Sequence, residues 1–238
     1  MLLREVIAVR KVINEGGNVF KDKDGTPLTD RIQRADVEPT VRWLESITGY
    51  NLFSHLLGTT GKKESSGDID IGMEEVATKE DLVNKLTVWC SQNDVEAATY
   101  IKKSGINVHF RTPIGGSSDR GFVQTDFMFV PNLDFAKFAM AADPHSKYRD
   151  MYKHITMSSL AKPLNMLWNP TTGLSDRTTK KVISTDPDKI AQTLLGPNVD
   201  RTAITSVESI LRALENDPQK DEKLADARAT LAKTGITI

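Results

Sequence analysis

The sequence predicts an α+β protein, with a mixed body of strands and helices over residues 1–165 and a small, mainly helical region over 166–238. Three observations predict it. INVHFRTPI and FVQTDFMFV are strand-like runs separated by the turn-rich GGSSDRG, the pattern of a hairpin. DLVNKLTVWC and the segment following Asp36 carry apolar residues at helical spacing. From Asp186 onward the chain reads as three short helices, DPDKIAQTLLGP, TSVESILRALEND and DEKLADARATLAK.

In chain order, an apolar opening segment leads to GGNVFKDKDGTPLTD, whose Gly, Asp and Lys content reads as loop. A helix starts near Asp36, with Pro39 suited to its first turn, Val41, Leu44 and Ile47 on one face, and Gly49 as its stop. The apolar run NLFSHLLG is expected as a first strand carrying His55, followed by polar GTTGKKESSG and the strand DIDIGM. Thr78 and Asp81 form a capping-box pattern before a helix that aligns Leu82, Leu86 and Trp89. A second helical stretch is expected over Val95 to Lys103, and then the hairpin. Asn132 to Ala161 reads as mostly helical, broken at Asp143-Pro144. From Trp168 to Ile183 the composition turns polar, separating body from tail.

With 39% apolar and 26% charged residues, the composition is that of an ordinary soluble globular protein. No run approaches the roughly 18 apolar residues that cross a bilayer. The opening residues lack the pattern of a secretory signal. A cytoplasmic location without a membrane partner is therefore expected. A net charge of −1 argues against a surface that grips nucleic acid everywhere, while leaving room for a local basic groove. The single cysteine, Cys90, excludes an intrachain disulfide, and its apolar surroundings mark it as a small buried hydrophobe.

The chemistry-bearing segment is Gly58-Thr59-Thr60-Gly61-Lys62-Lys63-Glu64-Ser65-Ser66-Gly67-Asp68-Ile69-Asp70. On a strand, Asp68 and Asp70 share a face while Ile69, Ile71 and Met73 point the other way. Adjacent carboxylates repel one another unless exposed or neutralised, and a hard divalent cation with oxygen ligands is the natural neutraliser. Asp126 is the second anomaly, a charge inside the apolar strand FVQTDFMFV that needs a partner or a metal. Three carboxylates on neighbouring strands make a platform for two metal ions.

This combination resembles the motif of the nucleotidyltransferases in the DNA polymerase beta superfamily: Gly-Gly or Gly-Ser, about ten residues, then Asp-x-Asp or Asp-x-Glu, with a third carboxylate on a later strand. The likeness covers roughly residues 40–160, and ESSGDID lies close to the polymerase members. It implies a mixed sheet flanked by helices and transfer of a nucleotide from a nucleoside triphosphate to a hydroxyl, releasing pyrophosphate. Asp68, Asp70 and Asp126 would bind two Mg2+ ions, or Mn2+ in their place, and Asp126 would take the hydroxyl proton. Gly58 and Thr59 would form a phosphate-facing turn at a helix start. Ser66 and Gly67 would add donors, and Lys62 or Lys63 the cationic charge. Thr59 departs from the usual Ser or Gly, and the loop is one residue shorter than in the polymerases.

The implied acceptor is a nucleic-acid end, because the local match is to polymerases. The alternatives are a stand-alone transferase acting on a protein or tRNA, or a non-catalytic descendant serving as a binding module. Three further features are expected to be structural. FAMAADPHSKYRDMYKHI loosely resembles the family's sugar- and base-contacting segment, but Asp143 reads as a helix break and Tyr148 as core. The four histidines lack ligand spacing. Arg177, Lys180 and Lys181 read as a solvated cluster.

Overall fold

Period-two patterning in three segments produces one four-stranded sheet. The structure is a computed structural model that describes residues 18–74 and 78–238, so the apolar opening segment lies outside it. Strand β1 (Ile32–Gln33) pairs antiparallel with β2 (Ser65–Ser66). Helix α1 (Arg34–Thr48) follows β1 directly. The larger sheet contains β3 (Asp68–Met73), β4 (Ile101–Ser104), β5 (Asn107–Pro113) and β6 (Phe122–Phe129), in the order β3-β6-β5-β4. Helices α2 (Lys79–Gln92) and α3 (Ala97–Tyr100) lie between β3 and β4 in the chain.

The two faces of this sheet differ in kind. In the β5–β6 pairing, Val108 stands opposite Phe127, Phe110 opposite Thr125 and Thr112 opposite Val123. All six are buried, and the Thr112 hydroxyl donates to Thr125 at 2.7 Å, so this face is sealed. Trp43 of α1 and Trp89 of α2 meet Phe110 at ring separations of 6.5 and 5.5 Å, joining helices to sheet through aromatic contacts. The other face carries Arg111, His109, Gln124 and Asp126, and is polar.

Several elements depart from the sequence-based expectation. Helix α1 begins at Arg34, so Pro39 lies in its second turn rather than its first. It ends as expected, with Gly49 left-handed at φ 72° and its N–H on Glu45 O. NLFSHLLG does not form a strand; Phe53–His55 is a 3₁₀ turn. The Leu52 and Phe53 N–H groups donate to Glu45 Oε1 at 2.7 and 2.9 Å, which holds them to the helix instead of a ladder. The expected helix through Lys103 stops at Tyr100, and residues 101–104 form β4. Gly105, at φ 51°, begins a two-residue turn that returns the chain as β5. Thr78 caps α2 as expected, accepting the Asp81 N–H at 3.1 Å.

The chain forms two compact units, whose described residues are 18–54, 60–71 and 78–128 in the first, and 55–59, 72–74 and 129–238 in the second. The second contains α4 (Leu133–Ala139), α5 (Asp150–Ala161), α6 (Pro187–Leu195), α7 (Val207–Ala213) and α8 (Lys220–Ala232). Phe135, Met157, Leu160, Ile190, Leu194 and Leu224 share its core. The polar stretch before α6 is a three-stranded antiparallel sheet of β7 (Met166–Asn169), β8 (Gly173–Asp176) and β9 (Val182–Ser184). Its polar residues make the hairpin tips: Asn169 Oδ1 accepts the Thr171 and Thr172 N–H groups. DPDKIAQTLLGP forms a helix as expected: Asp186 caps α6, Pro187 opens it and Gly196 stops it. Among the described residues no helix is long and apolar enough to cross a membrane.

Candidate metal centre

Strand alternation places Asp68 and Asp70 on one face of β3, with Ile69 and Ile71 fully buried on the other. The Asp70 N–H donates to Thr60 Oγ1 at 3.2 Å, which ties the preceding loop to the strand. Asp126 comes from β6, the neighbour of β3 in the sheet, and is 8% exposed. Each of the three aspartates offers a carboxylate oxygen, and these oxygens lie within 4.8 Å of one another.

Burial of this density is unfavourable to the charged forms. It pushes the Asp68 carboxyl up to about 6, with repulsion from Asp126 adding and Arg31 opposing. Asp70 is raised well above the usual carboxylate range by burial, then by Asp68 and Asp126. A donor set of three clustered carboxylates is all hard oxygen, the chemistry suited to Mg2+ or Mn2+. Ser66, two residues before Asp68, has a buried hydroxyl without a hydrogen-bond partner among the described residues. An orphaned buried donor costs about 1–3 kcal/mol, so a ligand oxygen there would relieve it. The residues present therefore fit divalent ions and an oxygen-rich ligand.

Three residues that the sequence did not single out surround the carboxylates. His109 is paired opposite Asp126 across β5 and β6, and its Nδ1 lies 2.7 Å from Asp126 Oδ1. Gln124, two residues before Asp126 on the same face, donates to its oxygens at 2.9 and 3.2 Å. Arg31 is anchored on Ser65, with Nε donating to the hydroxyl and Nη2 to the carbonyl at 3.1 and 3.0 Å. A cleft of about 370 Å³ opens among Asn18, Thr29, Arg31, Gly67, Asp68 and Gln124. The signal for His109 was present in the sequence. Residues equidistant from a hairpin turn face one another, and 109 and 126 flank the turn as 113 and 122 do.

The proposed phosphate loop divides. Lys62, Lys63, Ser66 and Gly67 belong to the first unit, with the three aspartates, and both lysines are exposed. Gly58 and Thr59 belong to the second. They form part of a turn over residues 58–62, and no helix starts there, contrary to expectation. Gly58 at φ 60° and Gly61 at φ 71° are both left-handed, which interrupts any right-handed helical run.

The remaining candidates take structural places. Asp143 Oδ1 accepts the His145 N–H at 2.8 Å in the break between α4 and α5, and Tyr148 packs beside a small core of Tyr152, Val207 and Leu231. Arg177 Nη2 donates to Met166 O within its own sheet. His154 lies between Asp150 and the Trp168 indole. Cys90 is 1% exposed, and burial raises its thiol pKa. No model of a known protein family matches this chain, and neither does any curated protein.

Proposed function

We propose that the chain is a metal-dependent nucleotidyltransferase, built on a nucleotidyltransferase-type sheet, that moves a nucleotide from a nucleoside triphosphate to a hydroxyl on a nucleic-acid end. The observation that carries this is the convergence of Asp68, Asp70 and Asp126 from two adjacent strands, with oxygens within 4.8 Å. Such crowding of carboxylates is unfavourable without cations, and a purely structural module gains nothing from it. Divalent ions held by these three residues would supply Lewis-acid charge at the transferring phosphate and the departing pyrophosphate.

The protein's own groups then have defined tasks. Asp68 and Asp70 would hold cations, and Asp126 accepts the proton of the attacking hydroxyl as it bonds to the α-phosphorus. The bond from that phosphorus to its bridging oxygen breaks, and pyrophosphate leaves. The Ser66 hydroxyl and Gly67 amide donate to phosphate oxygens, and Lys62, Lys63 and Arg31 add positive charge. The enzyme class and the acceptor are tested together by incubating the protein with each α-labelled triphosphate, Mg2+ or Mn2+, and DNA, RNA, tRNA or protein acceptors. Label is expected on a nucleic-acid end. Label on protein or tRNA would move the assignment to a stand-alone modifying transferase, and no metal-dependent triphosphate binding at all would leave a non-catalytic module. Asp126→Asn is expected to lower transfer by about 10²- to 10⁴-fold while the circular dichroism spectrum stays native; undiminished transfer would sink the mechanism.

A further inference from the structure

Asp126 is gripped from two directions. Across the hairpin, His109 Nδ1 lies 2.7 Å from its Oδ1, and His109 Nε2 lies 2.7 Å from Ser104 Oγ. Two bare acceptors do not approach so closely, so a proton lies between Nδ1 and Oδ1. Along β6, Gln124 Nε2 donates to both carboxylate oxygens, and its Oε1 accepts the Val19 N–H at 2.8 Å, which fixes the amide's orientation. Oδ1 thus receives two short contacts. Among the described residues, Oδ2 receives only the 3.2 Å contact from Gln124 and keeps most of its lone-pair capacity.

We propose that His109, oriented by Ser104, is a positioning residue that fixes the plane of the Asp126 carboxylate and presents Oδ2 to a divalent cation. The proposal rests on the metal-centre reading above and adds residues to it. A ligand whose plane is already fixed loses little rotational freedom on binding, so removing its support weakens metal affinity, typically by about 10- to 100-fold. His109 suits this task because it is 4% exposed and lies at the register position opposite Asp126, where cross-strand side chains meet most closely.

The test titrates Mn2+ alone into the purified full chain and reads free ion by electron paramagnetic resonance. His109→Leu, which fills the space without a donor, is expected to bind about 10- to 100-fold more weakly than wild type. His109→Asn, which retains an N–H donor, is expected to recover most of that loss. Ser104 is exposed, so Ser104→Ala keeps the fold and should weaken binding by a smaller factor. In the metal-free protein, nitrogen-15 NMR should find the His109 ring protonated at Nδ1. Wild-type affinity in His109→Leu would overturn the proposal, as would the opposite tautomer. If His109→Leu does not fold, wild-type affinity in Ser104→Ala overturns it instead. Absence of Mn2+ binding by the wild type itself would remove the metal-centre reading, and this proposal with it; unchanged variants beside a binding wild type defeat this proposal alone.

Discussion

At the scale of single residues, the raised carboxyls of β3 make a pH-dependent prediction. An ordinary aspartate titrates near 3.9 in an unfolded chain, whereas Asp68 is pushed to about 6 by burial and by Asp126. The folded state therefore holds its proton more tightly than the unfolded one. Its contribution is favourable below about pH 4 and is lost as pH rises through about 6. The melting temperature of metal-free protein should accordingly fall across that window, and Asp68→Asn should flatten the fall. Added Mg2+ or Mn2+ should raise the melting temperature more at pH 7 than at pH 5, because protons compete for the same oxygens. Calorimetric scans at several pH values would check this, and a metal effect that does not grow with pH would contradict the shared site. Asp68 and Asp70 were legible in the sequence because strand alternation is local. Arg31 was not, since its closeness to Asp68 depends on the pairing of β1 with β2.

At the scale of elements, one glycine sets the β7–β8 hairpin of the second unit. Gly173 opens β8 at φ 84°, and a side chain there would meet the Ser184 carbonyl of β9 at 2.3 Å. The left-handed backbone and a rigid obstacle act together, so Gly173→Ala should destabilise the protein by about 2–4 kcal/mol in urea titrations. Loss of well under about 1 kcal/mol would mean that β8 and β9 separate easily. This sheet was not anticipated, because its strands are three or four residues long and its polar tips dominate the composition. Strand β4 escaped for a related reason. Three of its four residues are exposed, so it carries no burial alternation, and its conformation comes from the Gly105 turn and from pairing with β5. Lys102 and Lys103 on this edge discourage pairing with other chains. By contrast α1, α2, α6 and the β5–β6 hairpin were legible, since each carries its own period, cap or turn. The Asn169 and Gly105 turns show that the missed elements also had local signals, though short ones.

At the scale of the whole molecule, the units are not consecutive in sequence. The second takes in residues 55–59 and 72–74, and there Val130 N–H donates to Met73 O at 3.0 Å and Leu133 N–H to Glu74 Oε1 at 3.2 Å. A fragment spanning 129–238 lacks these segments and should melt well below the full chain; a fragment as stable as the parent would show them to be dispensable. The sheet order has a further consequence for a chain made from its N-terminus. Among the described residues of the four-stranded sheet β3 has a single neighbour, β6, which lies some fifty residues downstream. Until β6 has left the ribosome, Asp68 and Asp70 have neither Asp126 beside them nor a strand to hold them flat. Any product truncated before residue 122 would therefore bind divalent ions poorly while carrying an unpaired strand of apolar and acidic residues, a species for chaperones or proteases to find.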